Sequence, residues 1–404
     1  MTVGVLKQQL MIMSDEDFIN KYSLIVIDEV HVRSVDVDLV LFELKKFMHR
    51  QANNPQCPFL LITSATFDPH QFADYLLNGK YENIIKVSGF TFPVELHWRP
   101  QPSQDYIQDA VDQACSVHCE NLKDITNNDQ FRDILIFVSG MKDADEIIKQ
   151  LDKQNSNSKT FMQYPTKNIK LMGEDVSKKT DNYRALDKPI KNLGVSVMKN
   201  KSLVFKKATR RIIVATNVAE TGITIDSLKY VIDTGFVKSG EYNPELNLNI
   251  LVRQPITQGM WAQRKGRAGR KAPGVAYMLY TEQLYQQLIS EEYPDIIKKD
   301  ISLDILNLII SECDPKGEFK QDNQIIHNAD FMKQVRTTSV DLYKIDLLSR
   351  PSYDSMQKSL DRLYQLGFIY KNSTPTELGF LASRFRFVSP EQIKALLACY
   401  CWDV

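Results

Sequence analysis

The chain has 404 residues, with 50 Lys+Arg balanced by 50 Asp+Glu, so its formal net charge is zero. An apolar fraction of 43% and a charged fraction of 25% are ordinary for globular proteins and exclude disorder over the whole chain. No apolar run approaches the roughly 18 residues that cross a bilayer, and the N-terminus lacks a signal-peptide pattern. Six cysteines without a CxxC pair favour a reducing intracellular compartment, the cytoplasm or the nucleus.

Short apolar runs followed by helical patterns predict an α/β sheet. The runs are continuous rather than alternating, which is typical of parallel strands that are covered on both faces. A helix is predicted over Asp36–Gln51, where Leu39, Val40 and Leu44 share one stripe. The predicted strands are Leu24–Ile27, Phe59–Ile62, Ile134–Val138, Arg211–Ala215, Tyr230–Ile232 and Val275–Tyr280.

The pattern changes twice along the chain, and the length itself suggests two or three domains. Pro93, Pro100 and Pro102 interrupt the strand–helix alternation, and beyond Thr281 the pattern is almost wholly helical. We therefore predict three domains, over residues 1–98, 99–282 and 283–404. The polar, Lys-rich stretch 155–201 is expected to be a long loop or insertion in the second domain.

The strand Leu24–Ile27 runs directly into Asp28-Glu29-Val30-His31. In a parallel sheet the carboxyl ends of the strands form the ligand crevice. Asp28 there suits Mg²⁺ held through water, and Glu29 suits a base that orients the water attacking a γ-phosphate. His31 could sense the nucleotide. The alternative is that the two acids only begin the next helix with favourable charge.

A second polar group follows the strand that ends near Thr63. Ser64-Ala65-Thr66 places two hydroxyls at the carboxyl end of that strand. We expect them to hydrogen-bond to the carboxylates of the neighbouring strand. A plain turn is the alternative for this tripeptide alone.

Two further stretches carry phosphate-binding chemistry. Thr216–Asp226 is a hydroxyl-rich turn that offers backbone N–H groups to phosphates. In Gln263–Arg270, Arg267 and Arg270 are three residues apart and are expected to share a helix face, from which two guanidinium groups clamp a triphosphate. A solvated basic face is the alternative.

The neutral total conceals two basic runs without acids, Lys199–Arg211 and Arg253–Lys271. The first is a candidate contact to a phosphate backbone, against the alternative of a solvated loop. Cys115, His118 and Cys119 share one helix face, for which burial is a more common explanation than metal binding.

In their order and spacing, the four stretches Asp28–His31, Ser64–Thr66, Thr216–Asp226 and Gln263–Arg270 resemble motifs II, III, V and VI of superfamily 2 helicases. The DEVH form, together with Asn217–Asp226, resembles the DEAH/DExH group. Further similarities to that group lie in its motif Ib, the linker, the motif IV strand and the winged helix, here at Thr2–Leu6, Gly89–Val94, Asp133–Val138, Ile345–Pro351 and Thr376–Gly379.

The resemblance implies two RecA-like parallel-sheet domains, the first one partial, followed by an α-helical winged-helix region and the start of a ratchet-like domain. It implies ATP or another NTP with Mg²⁺ as cofactors, RNA as the partner and no membrane; a protein cofactor is not specified. A DNA helicase and a non-catalytic nucleic-acid-binding remnant are the alternatives. The DEVH form also resembles virus-encoded members such as the poxvirus nucleoside triphosphate phosphohydrolase.

The same resemblance implies a role for each matched residue. Asp28 and Glu29 would serve Mg²⁺ and the attacking water, and His31 would complete the catalytic motif. The stretch Phe236–Val252 would include a β-hairpin that helps to part strands. The remaining implied roles are γ-phosphate contact for Gln263, Arg267 and Arg270; nucleotide contact for Gly222 and Asp226; nucleic-acid contact for Thr2, Gly4, Thr216, Lys238 and Tyr242; and coupling of hydrolysis to domain movement for Ser64 and Thr66.

One motif of the group is missing from the printed sequence. No G-x-x-x-x-G-K-[ST] occurs, so the nest of N–H groups and the lysine that hold the β- and γ-phosphates are absent. We expect the sequence to begin inside the first RecA-like domain and to end before the group's OB-fold. We also expect the 404-residue chain alone to turn over little or no ATP.

Overall fold

The strands and helices of the chain were taken from a computed structural model. It describes residues 1–64, 69–87, 89, 91–199, 202–221, 223–243, 245–246, 248–314, 318–338, 340–385 and 388–401. The strands are β1 Leu24–Ile27, β2 Phe59–Ile62, β3 Val94–Trp98, β4 Asp133–Phe137, β5 Thr166–Leu171, β6 Gly194–Lys199, β7 Ser202–Lys207, β8 Arg210–Ala215, β9 Leu228–Asp233, β10 Phe236–Asn243, β11 Leu248–Pro255 and β12 Gly274–Met278.

The α-helices are α1 Val3–Ile12, α2 Asp15–Lys21, α3 Val35–Arg50, α4 Pro69–Leu77, α5 Tyr106–Glu120, α6 Leu122–Thr126, α7 Met141–Asn157, α8 Lys159–Gln163, α9 Gly173–Lys178, α10 Asp181–Asp187, α11 Val218–Thr221, α12 Gln258–Gly266, α13 Glu282–Gln286, α14 Asp295–Lys298, α15 Ser302–Cys313, α16 Glu318–Gln321, α17 Ala329–Thr337, α18 Tyr353–Gln365, α19 Glu377–Ala382 and α20 Pro390–Cys401. Short 3-10 turns lie at Val30–Val32, Tyr81–Asn83, Ile190–Asn192, Asn323–His327 and Leu342–Lys344. No helix in the described part of the chain is both long and apolar enough to span a membrane.

The chain divides into two compact units. The first contains Met1–Ile85, Gly240–Ile250 and Tyr293–Val404, and the second contains Lys86–Ser239 and Leu251–Glu292. The division into three domains at residues 98 and 282 stays a prediction.

In the first unit, β1 and β2 pair in parallel, with Leu24 opposite Phe59 and Ile27 opposite Ile62. Helix α3 begins with the Ser34 hydroxyl accepting the Val37 N–H, and its predicted apolar stripe is buried. The predicted strands at β1 and β2 are therefore confirmed, as is the helix that connects them.

The prediction that all the strands are covered on both faces is wrong for this pair. Ile25 and Ile27 are buried, but Leu24 and Val26 are about half exposed. On β2, Phe59 is 78% exposed. The apolar runs are continuous in sequence, yet α3 and its neighbours cover only one face of the two-stranded sheet.

The C-terminal part of the first unit is helical, as predicted. Helices α15, α18, α19 and α20 each bury one apolar face in a common core. Leu39 and Phe42 of α3 belong to the same core, so this helix packs against both the small sheet and the helical part.

The second unit is built on a parallel sheet of six described strands in the order β3-β12-β9-β4-β8-β5. β4 lies at its centre, between β8 and β9, and every residue of β4 and β8 is buried. This burial confirms the fully covered parallel strands that were predicted here. The two core clusters of the unit lie on opposite faces of the sheet, with Leu135 and Phe137 on one side and Ile134 and Ile136 on the other.

The long loop predicted over residues 155–201 is wrong. β5 is the edge strand of the main sheet, in register with β8, and β6 pairs antiparallel with β7. Short helices α8, α9 and α10 complete the stretch. Its lysines masked the periodicity, because half-buried Lys170 lies between buried Ile169 and Leu171 on β5, at the sheet edge.

Candidate nucleotide and nucleic-acid sites

The DEVH motif lies where β1 ends, beside the end of β2. The Thr63 N–H donates to the Ile27 carbonyl (2.9 Å), and the Val30 N–H donates to the Thr63 carbonyl (3.2 Å). This register brings Thr63 next to Asp28, whose Oδ1 accepts the Thr63 hydroxyl at 2.5 Å. Oδ1 also accepts the Glu29 N–H at 3.0 Å.

The fit of Asp28 to a hydrated cation follows from these bonds. Both use Oδ1, and Oδ2 has no hydrogen-bond partner among the described residues, so Oδ2 is available to a cation-bound water. Asp28 is exposed, as such a ligand requires. Hydrogen bonds therefore fix the Oδ1 atom of the carboxylate, and the Oδ2 atom is accessible to a cation-bound water.

Glu29 has the left-handed backbone conformation, with φ of 56°, which turns the chain out of β1. Its Oε2 lies 3.2 Å from His31 Nδ1, and the same nitrogen lies 2.9 Å from the Ser64 hydroxyl. The Glu29 side chain remains 45% exposed, which leaves it accessible to a water molecule. The predicted residues Asp28, Glu29, His31 and Ser64 are thus neighbours.

The structure adds a hydroxyl that was not predicted. The Ser64 hydroxyl contacts His31, and the hydroxyl on Asp28 belongs to Thr63. Thr63 was counted only as the end of a strand. The signal that could have identified it is its register opposite the first residue after β1.

Arg33 was also missed, although it closes the DEVH turn. Its guanidinium is bidentate on Asp38 (2.7 and 3.0 Å), donates to Ser349 (2.7 Å), and is buried. Burial raises the pKa of Asp38, and the Arg33 contact opposes that rise. Arg33 therefore fixes the turn to α3 and to the segment that precedes α18.

Motifs V and VI meet within the second unit, but not as predicted. Helix α12 ends at Gly266, so Arg267 and Arg270 do not share a helix face. Arg267 is buried and donates to the carbonyl oxygens of Ile223 (2.5 Å) and Glu220, whereas Arg270 is exposed. The two arginines lie in different environments because the chain has left the helix before Arg267 and turns between the two residues.

Arg264 lies in motif VI, but the sequence alone assigned it no role. It is fully buried, with Nε 2.7 Å from Glu220 and Nη1 2.7 Å from Asp233. Burial raises the pKa of Glu220 while Arg264 opposes that rise. Since Glu220 binds Arg264 through its carboxylate and Arg267 through its carbonyl, it joins the two motifs.

Gly266 and Gly269 were expected to allow close approach of backbone or ligand. A Cβ on Gly269 would lie 2.7 Å from the Phe92 carbonyl oxygen, and the Gly269 carbonyl accepts the Phe92 N–H at 2.9 Å. The close approach is therefore made by the backbone of the linker. Nothing described lies within 4 Å of the corresponding position on Gly266.

The remaining predicted nucleotide residues are dispersed. Asp226 is exposed and forms an ion pair with Lys271 (2.6 Å). Gln263 lies on α12, and Thr216 directly follows β8, where its carbonyl accepts the Ala219 N–H. Gly222 and Thr66 lie outside the described residues.

The candidate nucleic-acid contacts occupy separate places. Thr2 is exposed and precedes α1, and a Cβ on Gly4 would lie 3.3 Å from Asp36 Oδ2. Lys238 is exposed on β10, and its side chain lies against the backbone of Gly140. β10 pairs with β11 in a separate two-stranded sheet, and Tyr242 near the end of β10 lies beside Arg362.

The prediction for the first basic run is wrong for Arg210 and Arg211, which are buried inside the second unit. Arg210 is fully buried and donates to the carbonyls of Val117 and Asn121, and Arg211 binds Asp133 at 2.7 Å. Lys206 donates to the Met162 carbonyl. These cations hold the second unit together, so their charge is not available to a phosphate backbone.

The chain is similar to known helicases over its whole length. A family model described as "Helicase conserved C-terminal domain" matches residues 195–272. A protein of African swine fever virus (isolate Tick/Malawi/Lil 20-1/1983) named as an RNA helicase, B962L, is 34% identical over 100% of this chain and 40% of its own length. The pre-mRNA-splicing factor ATP-dependent RNA helicase prp22 of Schizosaccharomyces pombe is 28% identical over 98% of this chain and 29% of its own length.

The fold is also similar to that of a solved helicase structure. The crystal structure of the Escherichia coli DEAH/RHA helicase HrpB matches 97% of this chain and 41% of that protein, with a TM-score of 0.69 and 22% identity. The family model, the viral and yeast relatives and the solved structure therefore show that the chain is similar to helicases in both sequence and fold. The chain spans 40% of the length of the viral relative, so it corresponds to part of that protein.

Proposed function

We propose that the chain belongs to an NTP-dependent RNA helicase of the DExH type that acts inside the cell, in the cytoplasm or the nucleus. The observation that carries the proposal is the group formed by Asp28, Glu29, His31 and Ser64 at the ends of β1 and β2. The names of the relatives support RNA as the substrate. ATP with Mg²⁺ is the proposed cofactor pair.

Each of these side chains would have a different role in the reaction. Asp28 would hold a cation-bound water through Oδ2, while Thr63 and the Glu29 N–H fix its other oxygen. Glu29 would orient the attacking water and accept its proton. Mg²⁺ with the nucleotide would neutralise charge on the phosphates when bound. His31 would link the position of Glu29 to Ser64.

In the second unit, Arg270 is exposed and suited to meet a phosphate, whereas Arg267 is bound to the backbone of motif V. We propose that Arg267 serves the γ-phosphate only after it leaves those carbonyls, and that Gln263, Gly222 and Asp226 complete the nucleotide contacts. Thr2, Gly4, Thr216 and Lys238 are the proposed RNA contacts, and Ser64 and Thr66 the proposed coupling residues.

The test is phosphate release from ATP with Mg²⁺, with and without single-stranded oligo(U), and displacement of a strand from an RNA duplex. The rate is expected to be low, because the printed sequence lacks the P-loop motif. Glu29→Gln should lower the RNA-stimulated rate about 100-fold or to background. Glu16→Gln, which changes an exposed acid on α2 in the same unit, is the matched control and should behave as the unchanged protein.

A non-catalytic RNA-binding protein is the second candidate, and the missing P-loop motif favours it. In that case oligo(U) would bind, hydrolysis would equal that of Glu29→Gln, and Mg²⁺-ATP would leave the RNA affinity unchanged. Displacement of DNA but not RNA strands would instead favour a DNA helicase.

A further inference from the structure

Two exposed cations and two aromatic rings meet in the second unit, at the carboxyl end of β4. The Arg253 guanidinium lies 5.4 Å from the ring centroids of both Tyr106 and Phe236, and the two rings are 5.2 Å apart. Phe236 and Lys238 are alternate residues of β10, so they share one face of that strand. Arg253, Tyr106 and Phe236 thus contact one another, and Lys238 lies on the same strand face two residues from Phe236; these four residues are here called the Arg253 platform.

The platform is held by polar contacts that leave its charge available. The Tyr106 hydroxyl donates to Asp143 Oδ2 at 2.7 Å and accepts from Arg253 Nη1 at 3.1 Å. The Ser139 hydroxyl donates to the same Asp143 oxygen. Asp143 thus accepts hydrogen bonds from two hydroxyls. The hydrogen bond to Tyr106 orients the Arg253 guanidinium.

Lys238 reaches the platform because residue 140 is a glycine. A Cβ on Gly140 would lie 2.8 Å from Lys238 Nζ and 3.1 Å from Cδ and Cε. The lysine stem therefore lies against the backbone between β4 and α7. Any side chain at position 140 would displace it.

These two cations differ in their ion pairing from other basic residues of the second unit. Arg211, Arg264 and Lys271 each form an ion pair within the unit. Neither Lys238 nor Arg253 has an ion-pair partner in the described part of the chain, and both are exposed. Two unpaired cations beside two adjoining aromatic rings fit a ligand that carries both negative charge and flat apolar faces.

We propose that the Arg253 platform binds single-stranded RNA, with phosphates on Lys238 and Arg253 and a base stacked on the guanidinium and the ring of Tyr106 or Phe236. The proposal rests on the proposed function and adds Arg253, Tyr106 and Phe236 to its RNA contacts. An acidic peptide would satisfy the cations but would leave the aromatic surface unused.

The test is fluorescence anisotropy of a labelled oligo(U) on the full chain as a function of salt. Arg253→Ala should weaken binding about tenfold and Lys238→Ala about threefold, and each should reduce the slope of log Kd against log salt by about 0.7. Lys153→Ala removes an exposed cation from α7 and should leave affinity and slope unchanged. Circular dichroism of each variant verifies that the fold is intact.

Arg253→Lys distinguishes the contribution of the Arg253 charge from the contribution of its stacking. It should restore the salt slope but not the affinity, because an ammonium cannot stack on a base as a guanidinium does. Affinity equal to that of the unchanged protein would overturn the stacking assignment.

The remaining outcomes distinguish the site from the proposed function. RNA binding whose affinity and slope are unchanged in both Arg253→Ala and Lys238→Ala overturns the site alone. Absence of salt-dependent RNA binding by the unchanged protein overturns the proposed function and the site together. Displacement of RNA by poly-glutamate at equal charge concentration would overturn the RNA assignment and favour an acidic partner.

Discussion

Lowering the pH should destabilise the second unit through His118. This residue lies on α5, is fully buried, and packs against Phe161 with ring centroids 4.3 Å apart. Neither ring nitrogen has a hydrogen bond of good geometry among the described residues. Burial, and then the charge of Arg210, lowers the pKa of His118 to about 3, which the backbone of Tyr164 only partly opposes.

The sign and size of the effect follow from linkage. The pKa is about 3 in the folded state and 6.5 in the unfolded state, so the neutral ring stabilises the fold above pH 6.5, and this stability is lost as the pH falls towards 3. At pH 5 the unfolded histidine is almost fully protonated while the folded one is neutral. The cost is then about 2 kcal/mol, against about 0.2 kcal/mol at pH 7.

The assay is urea unfolding at pH 7 and pH 5, followed by tryptophan fluorescence. Trp98 and Trp261 stack in the second unit, with centroids 5.9 Å apart, and therefore report its unfolding. His118→Leu removes the titration, so the unchanged protein should lose about 2 kcal/mol more than this variant between the two pH values. An equal loss in both proteins would refute the reasoning, because other groups would then account for the whole pH dependence.

Three further predictions concern other parts of the chain. Arg264→Met should cost the second unit about 3 kcal/mol or more in urea unfolding, because it leaves Glu220 charged and buried; a loss below about 1 kcal/mol would contradict this. Phe59→Ser should lower the fluorescence of bound anilinonaphthalene sulfonate and change the unfolding free energy by less than about 0.5 kcal/mol, since that ring is 78% exposed; a larger loss would mean that the ring is packed. Thr63→Val should raise the Mg²⁺ concentration for half-maximal hydrolysis, whereas Thr63→Ser should not, because only valine removes the hydroxyl on Asp28; equal Mg²⁺ dependence would refute the role.

Local pattern was sufficient for most of the elements and for the motifs. The β-branched runs at β4 and β8, the apolar stripe of α3 and the helices after Thr281 depend on the spacing of residues along one element, which the sequence displays directly. The order and spacing of four motifs likewise carry the resemblance to the DEAH/DExH group. What spacing could predict at the DEVH motif was that its acids and the hydroxyls after β2 would be neighbours.

The partner of each polar side chain was decided only by tertiary structure. Arg264, Arg267 and Arg270 lie within seven residues of each other, yet the first is ion-paired inside the unit, the second binds backbone carbonyls, and the third is exposed. Arg253 and Lys238 look like any other cations in the printed sequence. Burial and pairing depend on which distant elements pack against a residue, here α11 and β9 for Arg264 and α5 for Arg253, and no local period records that choice.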